Sequence, residues 1–252
     1  MNILVCVKRV PLTGGRIVLT DDERAISTRH LGFTVSPHEE CAVEEAVRLV
    51  EAHGGSSTVL TLGPDEAQEQ LRDMMAIGAD RAVHLVTDGQ ECDPQATAAA
   101  IIAAIEAQAE PFDLLLFGNE SADAGNYQVA IRVAHARGLP CVTGIKAIAV
   151  QGDTIRCEQE VPGGRDVYVL PLPAVVTVKE GLNLPRYPSV PGRLRAKRKP
   201  LQSLTPEPAP ARMPMVRLTL PQTAGKQVEV LGRGPDAAPA VVEVLRELGV
   251  MS

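Results

Sequence analysis

Aromatic residues are scarce in this chain: three Tyr, three Phe and no Trp among 252 positions, or 2%. That scarcity leaves few flat platforms on which single-stranded nucleic acid could stack. A net charge of -6 argues further against a general nucleic-acid binder. The five cysteines, Cys6, Cys41, Cys92, Cys141 and Cys157, lie far apart, with no CxxC pair and no histidine at ligand spacing. They read as reduced thiols, not as a disulfide framework or a zinc site. No apolar run reaches the length of a membrane span, and the opening MNILVCVKRV is too short for a secretory leader. The expectation is a cytoplasmic protein. Catalytic signatures are missing too: there is no GxxxxGK[ST] loop, no GxGxxG after the first strand, no GxSxG elbow and no HExxH. The neighbouring acids Glu39 and Glu40 are explained by the dipole of a helix they open, so no catalytic residues are expected and no metal.

What the chain has instead is a core vocabulary of Val, Leu, Ile and Ala within a composition 45% hydrophobic and 22% charged. This suits buried parallel strands flanked by small-residue helices. Asn2–Val7, Thr58–Leu62, Ala82–Val86 and Leu114–Phe117 read as strands. Between them, helices start at Ser36-Pro37-His38-Glu39, follow Gly63-Pro64-Asp65, and run over about Ala96–Ala107. Ser, Pro and Glu at these spacings make a capping box. Met74 and Met75 read as core filler. A turn is expected over Pro11–Gly15, and residues 16–34 read as an irregular excursion or small hairpin. Strand and helix thus alternate through roughly the first 140 residues, which predicts right-handed crossovers and a parallel sheet.

The stretch Asp113–Gly138 organises the rest. An apolar run stops at Gly118, a polar loop follows, and then comes a helix with Val129, Val133 and Ala134 on one face. Unpaired N–H groups at such a helix start favour an anionic group such as phosphate; the same pattern also fits an ordinary strand-to-helix turn. In parallel sheets ligands sit beyond the carboxyl ends of the strands, which here are Cys6–Lys8, Leu62-Gly63 and Gly118–Asp123.

After Pro140 the rhythm changes. Ala147–Val150, Thr154–Glu160 and Asp166–Leu170 read as antiparallel strands, and Ala174–Val178 as a strand returning to the main sheet. Gly181–Leu201 carries four prolines and six basic residues, which argues against a central strand or a helix and for a solvated basic loop. Thr205–Pro214 reads as a linker. Met215–Ser252 offers a strand over Val216–Leu220 and an amphipathic helix over Ala238–Leu248, too little for a core of its own. The expected division is an α/β domain over 1–200 and an arm over 201–252 that packs either on its own domain or on another chain.

Several segments together resemble the beta subunit of electron transfer flavoprotein: VCVKRV at 5–10, SPHEECAVEEAVRL at 36–49, LTLGPDEAQEQLRDMMAIGADRAVHL at 60–85, GNESADAGNYQVA at 118–130 and LPAVVTVKEGLNLPRYPSVPGRLRAKRKP at 172–200. The resemblance implies an α/β fold with a parallel, adenine nucleotide alpha hydrolase-like, Rossmann-type sheet. It implies an electron carrier, not an enzyme: a heterodimer with an alpha subunit that holds most of the FAD. Such a carrier takes electrons from acyl-CoA or other flavin dehydrogenases and passes them to a quinone oxidoreductase or another acceptor. AMP, or in electron-bifurcating members a second FAD, would be held by Cys6, Ser36, Pro37, His38, Glu39, Leu62, Asp123, Ala124, Gly125, Asn126, Tyr127, Gln128, Val129, Ala130, Val133 and Ala134. Arg186, Tyr187, Pro188, Ser189, Val190, Pro191 and Arg195 would form the loop that docks dehydrogenases, with Val190 where a longer Leu or Met is common. The loop Asp123-Ala124-Gly125-Asn126 matches neither the acid-rich run of many AMP-binding members nor the DGDT run of bifurcating ones; AMP is favoured. The contrasting class is an ATP-binding stress or adenylyl-transfer protein of related fold.

Overall fold

Apolar runs flanked on both sides by helices have only one economical arrangement, a sheet buried on both faces. The computed structural model, which describes residues 1–12, 14, 17–213, 215–221 and 229–251, has this arrangement. Strand β1 (Asn2–Cys6) is followed by a two-residue ladder, β2 (Val10–Pro11) against β3 (Phe33–Thr34), and by helix α1 (Pro37–His53). The alternation continues through β4 (Ser56–Gly63), α2 (Gln68–Ile77), β5 (Arg81–Val86), α3 (Pro94–Glu106), β6 (Leu114–Gly118) and α4 (Val129–Arg137). Then come β7 (Cys141–Gln151), β8 (Thr154–Val161), β9 (Gly164–Pro171), β10 (Ala174–Val178), α5 (Val190–Ala196) and β11 (Leu201–Leu204).

Among the described residues nine strands form one sheet in the order β11-β5-β4-β1-β6-β10-β7-β8-β9. Every pairing from β11 to β7 is parallel, and β7-β8-β9 is an antiparallel extension. Alternate residues of each parallel strand feed two cores. Ile3, Val5, Val59, Leu114, Leu116 and Val176 pack under α1 and α2. Leu4, Cys6, Leu60, Leu115, Phe117 and Val175 pack under α3 and α4, whose inward faces are rich in Ala. Met74 and Met75 are buried in the first core.

The helix starts follow local chemistry. α1 opens on the Ser36 capping box with Pro37 in its first turn. α3 starts at Pro94, because Asp93 caps it by accepting the Ala96 N–H at 2.7 Å. Asp93 also accepts the N–H groups of Arg212 and Met213 at 2.6 and 2.8 Å, so the irregular segment after β11 is fastened to α3.

Three expectations are corrected. The proline-rich segment does hold a helix, α5, because Pro191 falls in its first turn, where proline is tolerated, and Ser189 caps it by accepting the Gly192 N–H at 3.1 Å. Leu201–Leu204, at the end of that basic segment, is a parallel edge strand against β5. Val216–Leu220 is not a strand; it has no ladder partner among the described residues. The excursion after β2 is a hairpin closed by β2-β3 and a Leu19–Ile26 bridge. Of the turn expected over Pro11–Gly15, Thr13 and Gly15 lie outside the described residues, as do Arg16 and Pro214.

The chain separates into two compact units, Met1–Val216 and Arg217–Ser252. The second contains α6 (Ala238–Glu247), a helix with no buried residue. Among the described residues no helix is long and apolar enough to cross a membrane.

Candidate functional site

From β1 the sheet grows to one side through β4 and β5, and from β6 to the other through β10 and β7. The direction of winding therefore reverses between β1 and β6, and the crevice beyond their carboxyl ends is where such sheets take ligands. An open cavity of about 410 Å³ lies there, lined by Pro37, His38, Glu120, Ser121, Ala122, Asp123, Ala124 and Gly125.

Glu39 ties this edge together. Its side chain is buried, and its two oxygens accept the Lys8 N–H at 3.0 Å and the Ser36 N–H at 3.2 Å. One carboxyl thus joins the end of β1 to the start of α1. Gly118 is required beside it: a Cβ at that position would come within 2.6 Å of Glu39 Cγ. Burial pushes the Glu39 carboxyl up to about 8, against the pull of the two amides and of Lys8. Burial and the neighbouring Glu39 also hold the Cys6 thiol far above its ordinary value, so Cys6 is an inert thiol behind the site.

The capping box alters one expectation at α1. Ser36 N–H is spent on Glu39 and Pro37 has none, so little of this helix start is free to meet an anion. The start of α4 is different. Gln128 precedes it without a side-chain cap, and no hydrogen bond is found for the N–H groups of Val129, Ala130 and Ile131 among the described residues. Tyr127 before it adopts a left-handed backbone, φ 56°, next to Gly125 at 54°. Three open amides with the positive end of the helix behind them form a receptive place for an anion.

Lys8 stands across the crevice. Its ammonium lies 2.6 Å from Glu91 and 2.8 Å from Asp123, one on each loop bordering the edge. Burial works against its charge, but Glu91 and Asp123 outweigh it and raise its pKa. Burial likewise opposes the Asp123 carboxylate, and Lys8 holds it below its ordinary range. His38 closes the other rim: Nδ1 accepts the Glu180 N–H at 2.9 Å, which leaves Nε2, 3.4 Å from Glu120, as the donor. Asn119 is held by Thr177, whose hydroxyl donates to it at 2.8 Å.

Of the residues expected to hold a nucleotide, Pro37, His38, Asp123, Ala124 and Gly125 line the cavity. Ser36, Glu39 and Cys6 are buried behind it, and Leu62 is half-buried at the end of β4. Asn126 and Tyr127 are exposed, and Gln128 turns its side chain to Arg132 at 2.9 Å. Ala130, Val133 and Ala134 face the second core, so only backbone at the start of α4 is open to a ligand. The lining residues Glu120, Ser121 and Ala122, and Lys8 with Glu91, were outside the expected set; proximity to the ends of β1 and β6 is their signal in the sequence. No cluster of metal-ligating side chains occurs among the described residues.

The second expected surface is Arg186–Arg195. Leu184, Tyr187, Val190 and Leu194 are exposed by 85, 88, 72 and 60%. Ser189, Pro191 and Arg195 are exposed, and Pro188 is half-buried. Arg186 is not free. Its Nε and Nη2 donate to Glu44 at 3.0 and 3.1 Å, and Nη1 and Nη2 to Glu51 at 2.7 and 3.0 Å. These bonds raise the Arg186 pKa above its usual value and lower that of Glu44. Beneath the loop, α5 is bolted to α2: Arg72 donates to the Ala196 and Lys199 carbonyls at 2.6 and 2.8 Å, and Lys199 Nζ donates to the carbonyls of Met75, Gly78 and Ala79. The apolar side chains therefore stand on a fixed base.

A mostly parallel sheet flanked by helices, with an open crevice at its switch point, defines an α/β protein of the doubly wound class. The electron transfer flavoprotein domain matches residues 25–209. The chain is 34% identical to the electron transfer flavoprotein subunit beta of Bacillus subtilis over 98% of both chains. It is 35% identical to that of Syntrophomonas wolfei, covering 91% of this chain and 90% of the relative. With the mitochondrial subunit beta of Oryza sativa it shares 34% over 82 and 83%. This chain belongs to the electron transfer flavoprotein family, as a beta subunit.

Two outcomes follow from the site. Because its folded-state pKa lies above the ordinary 4.5, Glu39 favours folding less as pH rises from about 4.5 to 8. In urea titrations across that window Glu39→Gln will flatten the stability slope, by up to roughly 1 kcal/mol per pH unit; an unchanged slope would show that Glu39 ionises normally. Arg186→Lys, which keeps the charge but loses the two-pronged fork, will cost about 1–2 kcal/mol by the same measurement.

Proposed function

We propose that this chain is one half of a heterodimeric electron carrier in which it binds AMP structurally, presents its loop to a partner dehydrogenase and helps an alpha subunit enclose FAD. The carrier accepts electrons from acyl-CoA or other flavin dehydrogenases and hands them to a quinone oxidoreductase or comparable acceptor. The observation that carries the nucleotide reading is the open cavity at the β1–β6 switch point, bordered by the uncapped start of α4. Backbone amides there suit a phosphate. The five unpaired cysteines are in keeping with a reducing compartment such as the cytosol.

For docking, the supporting observation is that four apolar side chains project from a segment whose base is tied to α1 and α2. An exposed apolar cluster on a rigid support is the form of a recognition surface.

Acid extraction of the purified heterodimer followed by chromatography will release one AMP for each FAD. Two FAD and no AMP would move the assignment to the bifurcating kind, and absence of any nucleotide beyond one FAD would remove the site. Val190→Asp will slow electron transfer from the partner dehydrogenase at least tenfold, about the effect of losing one buried aliphatic contact, while leaving nucleotide content unchanged. An unaltered rate would take the docking role away from this segment.

A further inference from the structure

The acids at the β1–β6 edge pose an electrostatic problem for any phosphate. Glu91, Glu120 and Asp123 all approach the crevice. The cations nearby are mostly committed elsewhere. Arg9 lies over the Phe33 ring, 3.2 Å from its centroid. Arg132 on α4 is engaged by Gln128 and Gln95. Lys179 follows β10, one strand further from β1. Lys8 alone of these projects from the end of β1, the strand at which the winding reverses. Its side chain is about one-third exposed, and its two partners reach the ammonium from the loops after β5 and β6. Its backbone N–H is separately fixed by Glu39 at 3.0 Å, so the side chain can change partner without the strand end moving.

We propose that Lys8 is the counter-charge for the phosphate of the bound adenine nucleotide, and that Glu91 and Asp123 compete with that phosphate for its ammonium. The proposal rests on the nucleotide reading above. A phosphate dianion at the start of α4 sits on the same loop as Asp123, whose carboxylate holds Lys8 across the crevice. The ammonium then turns from carboxylate to phosphate, a stronger partner with more acceptor oxygens. Without this cation the dianion would face the acids with only backbone dipoles to balance them. The acids in turn weaken binding of any phosphate that does not reach Lys8. The site therefore prefers a nucleotide whose phosphate enters the crevice over a nucleoside or an extended polyanion lying across the rim.

The test is calorimetric titration of the full-length chain, co-purified with its partner subunit and stripped of nucleotide, with AMP and with adenosine. Lys8→Gln will weaken AMP tenfold or more, the loss of one charge-assisted hydrogen bond, and leave adenosine unchanged. Glu91→Gln, at an exposed position, will tighten AMP two- to fivefold, on the scale of one exposed ion pair, again without effect on adenosine. Equal weakening of AMP and adenosine by Lys8→Gln would make Lys8 a structural bolt between loops and overturn the proposal. Undiminished AMP binding by Lys8→Gln would overturn it as well, with the nucleotide site intact. If the wild-type protein binds neither compound, the nucleotide reading itself falls, and the role of Lys8 with it.

Discussion

The carboxyl group of Glu39 is the constraint on which the working edge of this protein depends. It takes the Lys8 N–H at the end of the central strand and the Ser36 N–H at the start of α1, in a place water hardly reaches. A buried acid is costly unless its oxygens are satisfied, and here they are satisfied by backbone alone. The strand end and the helix start are thereby held in register, Gly118 is obliged to lack a side chain, and the opening between β1 and β6 keeps its width. The same economy leaves few free amides at the start of α1, whereas the start of α4 stays uncapped.

Two surfaces with different physics share one scaffold. The edge at the switch point is polar, crowded with acids and balanced by Lys8. The α5 segment is apolar at its tip and ionic at its root, where Arg186 grips a Glu44 carboxylate that is 2% exposed. Both depend on α1: its first turn shapes the edge, and Glu44 and Glu51 further along anchor the loop. A segment ordered in advance, as this one is, has less entropy left to lose than a loose one.

Much of this was legible in the sequence, for a physical reason. Strands buried on both faces are written as unbroken apolar runs, so β1, β4, β5, β6 and β10 could be read almost to their ends. The capping box at Ser36 and Glu39 fixed the start of α1 by local chemistry alone. What could not be read depends on contacts distant in the chain. β11 has only two apolar residues and exists because β5 offers it an edge. α5 looked forbidden by its prolines, although Pro191 occupies the one turn where a helix accepts it. The grip of Glu44 on Arg186 spans 142 positions, and no spacing rule announces it. Lys8 was visible as a residue at a strand end, but its sharing between Glu91 and Asp123 emerges only when three loops meet.

Asp93 carries a consequence of its own. By accepting the Arg212 and Met213 amides while capping α3, its carboxylate does two jobs at once. The same pair of oxygens starts a helix and seats the irregular stretch of chain after β11, so a change at this one position would loosen both together.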